Sequence, residues 1–198
     1  MDTLSYIFHY FHLDPHTTSY PITIPKSRWD IGYLVNALGL LKGVEVGVYK
    51  AAFTTSLARK APLAEITGVD AWAAYQGYKD EEENDLDTAQ AAAIEKTKPF
   101  PNITLLKGWS LDAAKNFADD SLDFVYIDAN HDYEHCQEDL AAWVPKVKKG
   151  GLVMGHDYVR DLKKNVGVIR AVDEWVKQNQ IAHLFAWTDR TPSWMFIK

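Results

Sequence analysis

The chain has 198 residues, 47% of them hydrophobic and 24% charged, with 21 Lys and Arg against 27 Asp and Glu and a formal net charge of -6. That length suits one well-buried domain and is short for two ordinary α/β domains, while the acidic balance argues against a nucleic-acid surface and leaves small molecules as the default partners. The single cysteine, Cys136, excludes an internal disulfide and suits a reducing, cytoplasmic setting, and no stretch approaches the roughly 18 apolar residues of a membrane span.

The opening MDTLSYIFHYFHL has no basic n-region and reads poorly as a signal peptide. Residues 1–27 are rich in Tyr, Phe and His and are interrupted by Pro15, Pro21 and Pro25. They read as an N-terminal extension wrapped over the fold: an ordered tail or dimer arm on the plainer reading, a lid over a substrate pocket on the other. The domain proper then covers residues 28–198. Ser27, with Asp30 three residues on, resembles a capping box that opens a helix through about Leu38, closed at Gly39. Gly43 to Val48 is a strand running into a glycine, followed by a helix from about Phe53 to Lys60. Ala64 to Val69 forms a second strand ending in Asp70, with Ala71 and Trp72 just beyond.

The acidic cluster from Asp80 to Asp87 reads as a solvated face. An alanine-rich helix over Leu86 to Lys96 is closed by Pro99 and Pro101, and Ile103 to Lys107 is a third strand. Gly108-Trp109-Ser110 then turns into a helix capped by Ser110. Leu122 to Ile127 is a covered strand that stops at Asp128. Apolar residues return at helical spacing from Tyr133 to Val147, with Asp132 as N-cap, Pro145 bending or ending the helix early, and Gly150-Gly151 as the stop. Leu152 to Met154 is another strand, leading to Gly155, His156 and Asp157, and Val166 to Lys177 is a helix. Ile181 to Trp187 and Ser193 to Ile197 form a closing hairpin around Thr188–Pro192. The fold class is therefore α/β: a doubly wound, mostly parallel seven-stranded sheet with helices on both faces and a C-terminal antiparallel hairpin.

The strand–helix–strand unit across residues 122–157 places the chemistry. Its right-handed crossover brings both strand ends to one edge of the sheet. If the strands are neighbours, about 4.8 Å apart, Asp128 and Asp157 emerge side by side where open α/β sheets bind ligands. Two such carboxylates need a proton or a cation between them, and a hard divalent ion answers that need. His131 and His156 lie within reach of the same spot, making a metal-plus-base site.

The first loop narrows the ligand. No G-x-x-x-x-G-K-[ST] phosphate loop is present, and the dinucleotide fingerprint fails because only Gly47 lies in that turn. Glu45, just before Gly47, would repel a phosphate but attract a cationic amine or sulfonium. Asp70 falls near the roughly 20-residue interval at which an acid reaches ribose hydroxyls.

Glu45-x-Gly47, Asp70 after the second strand, Gly108-Trp109-Ser110 after the third and Asp128 after the fourth resemble the Rossmann-like class I S-adenosylmethionine-dependent methyltransferases. Within that class IDANHDYEH and KGGLVMGHDY resemble the small family that includes the macrocin-type sugar O-methyltransferases. The resemblance covers about residues 28–198. It implies that Glu45, Val46 and Gly47 contact the methionine end of the cofactor and Asp70 the ribose, beside Ala71 and Trp72, while Trp109 and Ser110 meet the adenine and Asp128 borders the site. It further implies a divalent ion such as Mg2+ at Asp128 and Asp157, with His156 as a further ligand, and His131 as the base. Ala51, where a second glycine is common, and His156, where some relatives carry an acid, depart from the pattern. The expected reaction is methyl transfer to a hydroxyl of a small acceptor, a sugar or other polyol, with neither nucleic acid nor membrane as partner and with a homo-oligomer compatible with the N-terminal arm.

Three alternatives stand beside this. A noncatalytic cofactor-binding or carbohydrate-interaction module on the same fold would keep the cavity without turnover. His131-Asp132-Tyr133-Glu134-His135 matches H-x-x-E-H, a zinc hydrolase pattern that needs His131 well inside a helix. Tyr75 and Lys79 match the tyrosine–lysine pair of short-chain dehydrogenases, without a glycine-rich turn to hold the dinucleotide.

Overall fold

A computed structural model describes residues 2–74, 83–159 and 167–198. Tyr75, Lys79 and the acidic residues Asp80, Glu81 and Glu82 lie outside the described residues. In chain order the elements are α1 (Thr3–Tyr10), β1 (Ile22–Ile24), a 3-10 turn (Arg28–Asp30), α2 (Ile31–Ala37), β2 (Lys42–Val46), α3 (Ala52–Lys60), β3 (Glu65–Asp70) and α4 (Glu83–Thr97). They continue as β4 (Ile103–Lys107), α5 (Ser110–Ala114), β5 (Leu122–Ile127), α6 (Tyr133–Trp143), β6 (Val147–Gly155), α7 (Val168–Gln178), β7 (Phe185–Trp187) and β8 (Trp194–Ile197).

The strands form one sheet in the order β1-β7-β8-β6-β5-β2-β3-β4, with β8 antiparallel to both β6 and β7 and every other pairing parallel. The doubly wound parallel sheet and its C-terminal hairpin are as the alternation of strand and helix patterns leads one to expect. The sheet has eight strands rather than seven. The extra one, β1, comes from the N-terminal segment and pairs Ile22 with Phe185 and Ile24 with Trp187.

Strand parity divides the core. On β5, Phe124 and Tyr126 join Leu152 and Met154 of β6 on one face, packed by Leu34 of α2, Leu57 of α3 and Ile7 of α1. Val125 and Ile127 join Val153 on the other, packed by Leu140 and Trp143 of α6 and Val172 of α7. Because both faces are covered, these strands read as continuous apolar runs. Ile7 and Phe8 of α1 are buried, the latter edge-on to Phe185 with ring centroids 5.7 Å apart. Among the described residues no helix is long and apolar enough to cross a membrane.

Two local expectations are corrected and one, the early end of the helix at Pro145, is met. Ser27 caps a 3-10 turn before α2, accepting from the Trp29 N–H at 3.3 Å, rather than opening one continuous helix. The helix from Tyr133 ends at Trp143, because Pro145 lacks the N–H that would continue the ladder, and a 3-10 turn over Val144–Lys146 follows. Gly150-Gly151 does not stop that helix. Both glycines lie inside β6, where the pairing with β5 shifts register, Gly150 adopts φ +81° and a Cβ on Gly151 would stand 2.6 Å from the Asp123 carbonyl oxygen.

Candidate active site

The carboxyl ends of β2, β3, β4 and β5 open onto one cavity of about 750 Å³. Its lining includes Glu45, Val46 and Gly47 after β2, Asp70 and Ala71 after β3, Trp109 and Ser110 after β4, and Asp128 and His131 after β5. That volume lies within the range of small-molecule and cofactor sites.

Glu45, in β2, is 1% exposed, and its Oε2 has no hydrogen-bond partner among the described residues. Burial pushes its carboxyl up to about 8, and the nearby negative charge of Asp128 adds to the rise. Gly47 follows with φ +93°, and a Cβ there would stand 2.0 Å from the Asp128 carbonyl oxygen. The end of β2 is thereby pressed against the end of β5, as the Asp128 N–H bond to the Val46 carbonyl at 2.7 Å also shows.

Asp70 is engaged before any ligand arrives. Its Oδ2 accepts from the N–H groups of Val48 and Tyr49 at 2.9 and 2.8 Å, and its Oδ1 from Trp72 at 2.7 Å. A carboxylate offers about four lone-pair sites, so the acid fixes two loops and still has acceptor capacity facing the cavity. Trp72 itself is not part of the cavity wall. It is buried beside Ala89 and Ala93, with its indole N–H donating to the Tyr49 carbonyl at 2.8 Å.

Trp109 is 46% exposed at the cavity mouth. Ser110 does not cap its helix, as the sequence suggested; Trp109 takes the N-cap position and makes no side-chain cap. The Ser110 hydroxyl instead donates to Asp139 Oδ1 and accepts from the Trp143 indole N–H at 2.9 Å. Asp139, on α6, is 4% exposed and lines the cavity. Burial pushes its carboxyl up to about 6, against the hydroxyl that donates to it. Sequence reading passed over this acid, although its spacing from Cys136 and Trp143 puts it on the apolar stripe of α6.

At the other end Asp128, His131, His156 and Asp157 converge. His131 Nε2 lies 2.9 Å from Asp157 Oδ2 and 3.6 Å from Asp128 Oδ1. His156 Nδ1 lies 3.1 Å from Asp157 Oδ2 and 3.5 Å from Asp128 Oδ1. Burial alone would favour neutral rings, but the two acids outweigh it and push His131 up to about 10 and His156 up to about 9. Burial likewise opposes ionisation of Asp157, and the two imidazoles overcome it and hold the carboxyl well below its ordinary range. One oxygen each of Asp128 and Asp157 and a ring nitrogen of His131 lie within 4.8 Å of one another, so two hard oxygens that fit a divalent ion stand with an imidazole beside them.

Arg28 is a further member that the sequence did not indicate. It arrives from the 3-10 turn, Nη1 lying 3.3 Å from Asp128 Oδ2 and the guanidinium 5.6 Å from the centre of the Phe53 ring. The H-x-x-E-H pattern does not assemble a zinc site: His131 lies in the loop before α6, and the His135 ring is held by the Asp132 carboxylate at 2.8 Å.

A Rossmann-like sheet with acids at the carboxyl ends of successive strands around one cavity defines a methyltransferase fold. A family model for a methyltransferase domain matches residues 44–158, and the chain belongs to that family. Among solved structures it is similar to the O-methyltransferase from Bacillus cereus in complex with S-adenosylhomocysteine, at 18% identity and a TM-score of 0.64, covering 99% of this chain and 90% of that one. It is also similar to TomG from Streptomyces achromogenes, an O-methyltransferase involved in tomaymycin synthesis solved in complex with S-adenosylmethionine, at 13% identity and a TM-score of 0.61, covering 100% and 90%. A protein from Nostoc punctiforme assigned as an O-methyltransferase matches at 16% identity and a TM-score of 0.64 over 86% of this chain, which spans about half, 55%, of that protein. These likenesses are of fold. No curated protein matches the sequence.

Proposed function

We propose that the protein transfers a methyl group from S-adenosylmethionine to a hydroxyl of a small polar acceptor, a sugar or other polyol of the kind macrocin-type enzymes modify. The observation that carries this reading is the convergence of Asp128, His131 and Asp157 beside a cavity whose lining also includes Glu45, Asp70 and Ser110. The cofactor supplies an activated methyl group on a sulfonium. The chain must then hold that donor and the acceptor in line and take up the hydroxyl proton. Glu45, buried with an unpartnered oxygen, suits the cationic ammonium and sulfonium end. Asp70 retains acceptor capacity for the ribose diol, and Trp109, in the cavity lining, would meet the adenine.

Asp128 and Asp157 would hold a divalent ion, with His156 as a further ligand, and such an ion supplies Lewis-acid lowering of the hydroxyl pKa. His131 in its neutral form is the proton acceptor, since it lines the cavity and lies beside both acids. The test is incubation of the purified protein with methyl-labelled S-adenosylmethionine and a panel of sugars, polyols and phenols, with and without a chelator. Label transfer that the chelator abolishes supports every part of the proposal. Transfer that survives chelation removes the metal, and inertness across the panel with the cofactor bound favours the noncatalytic module.

A further inference from the structure

One acid of the cavity wall has no part in the chemistry just described. Asp139 enters from α6, and it is nearly inaccessible to solvent yet forms part of the cavity wall. Its Oδ1 is committed to the Ser110 hydroxyl, which in turn accepts from the Trp143 indole. Its Oδ2 takes no hydrogen bond from any described residue. Trp143 is itself fully buried against Phe117, so the Ser110 hydroxyl is held between the indole and the carboxyl.

A largely buried carboxyl that accepts one hydrogen bond on Oδ1 and none from the described residues on Oδ2 carries a desolvation cost that the single hydroxyl offsets only in part. Burial accordingly pushes its pKa up to about 6. At neutral pH the carboxyl is largely ionised, and a ligand seated in the cavity can donate to its Oδ2 in place of water.

We propose that Asp139 is a specificity-determining residue for the nucleobase, its Oδ2 accepting from the exocyclic amino group of adenine at the Trp109–Ser110 end of the cavity. This rests on the cofactor reading above and adds to it a base-selecting role for a residue outside the strand-end acids. Adenine carries an amino donor at position 6, whereas hypoxanthine carries a carbonyl oxygen there. A carboxylate would accept from the first and repel the second. Ser110, with its hydroxyl proton committed to Asp139, is the positioning residue that holds the acceptor in place.

The experiment compares S-adenosylhomocysteine with S-inosylhomocysteine by calorimetric titration, first on the wild-type protein and then on Asp139→Asn. For wild type we expect the adenosyl ligand to bind at least about tenfold more tightly. That ratio reflects the loss of one charge-assisted hydrogen bond and the repulsion between two acceptors brought face to face. Asn keeps the size of the side chain and can donate to the inosyl carbonyl, so the preference should fall to within about threefold or reverse, with the circular dichroism spectrum unchanged. Equal affinity of wild type for the two ligands overturns the proposal, with no variant needed. So does an Asp139→Asn protein that keeps the full wild-type preference. If wild type binds neither ligand, the cofactor reading itself fails and this proposal with it, a result distinct from binding without discrimination.

Discussion

His131 Nε2 stands 2.9 Å from Asp157 Oδ2, and the same carboxylate oxygen lies 3.1 Å from His156 Nδ1, so one acid oxygen gathers two imidazoles. With burial opposing it, the field of Asp157 and Asp128 pushes His131 up to about 10, which leaves the ring protonated at neutral pH. A protonated ring is no base. A divalent ion on the two carboxylates would cancel that field and release the proton. Because His156, a proposed ligand raised to about 9, must also be neutral to bind the ion, binding of Mg2+ or Mn2+ should expel up to two protons, and affinity should rise with pH below the two imidazole pKa values. Titration calorimetry in two buffers of different ionisation enthalpy measures the proton count; a count of zero would contradict the coupling.

Replacement of His131 with Ala should lower turnover by about 10²- to 10⁴-fold, the usual contribution of a positioned base. The affinity for S-adenosylhomocysteine should stay within a few-fold of wild type, since His131 faces the acids rather than the Glu45 end. Equal loss of turnover and binding would argue for a structural role.

Glu45 is held in conflict with folding. Its folded pKa of about 8 exceeds the ordinary 4.5, so the stability of its protonated form is fully present below about pH 4.5 and is lost as pH rises through about 8. Glu45→Gln keeps the neutral shape at every pH. It should therefore be more stable than wild type at about pH 9, by on the order of a few kcal/mol, and nearly unchanged at about pH 4 to 5. The same variant should bind S-adenosylhomocysteine at least about tenfold more weakly through loss of the ammonium partner. Thermal melts across this pH range and one binding titration check both halves.

Gly47→Ala places a methyl group where the Asp128 carbonyl oxygen already stands, in a backbone conformation with φ +93°. The obstacle is backbone, so no side chain can turn aside. We expect a loss on the order of 3 kcal/mol or more and abolition of cofactor binding, measured by urea unfolding and a binding titration. An alanine variant of wild-type stability would mean that the β2 and β5 ends are less tightly apposed than these distances state.

Asp70→Ala removes the acceptor of three backbone N–H groups, those of Val48, Tyr49 and Trp72. A destabilisation of about 2 to 4 kcal/mol follows from leaving such groups without a partner. Faster amide exchange at these three positions would locate the loss in the cavity loops, whereas uniform exchange across the sheet would place it elsewhere.

Much of this site was legible because a parallel strand announces itself as a short apolar run and its end as the first acid or glycine. Asp70, Asp128 and Asp157 were found that way and Glu45 through the glycine that follows it, and the pairing of β5 with β6 then brings Asp128 and Asp157 together. What escaped reading depends on contacts between distant segments. Arg28 meets Asp128 across 100 positions, and nothing in its neighbours foretells the pairing. β1 is three residues long and lies between prolines, so its place beside β7 follows from the sheet edge rather than from its own pattern. Trp72 was placed near the cofactor because it follows Asp70, yet its φ of +41° turns the indole into the core beside α4. Gly150-Gly151 looked like a helix stop because a bulged strand and a helix terminus call for the same residue.

The most direct measurement is thermal unfolding of the wild-type protein with S-adenosylhomocysteine. At about 100 times its dissociation constant a ligand adds about 2.7 kcal/mol, which for a domain of this size raises the midpoint by about 5 to 11 °C. A saturable rise of that size is the expected result. An unchanged midpoint at millimolar ligand, with the protein folded, would contradict the assignment of the cavity to this cofactor.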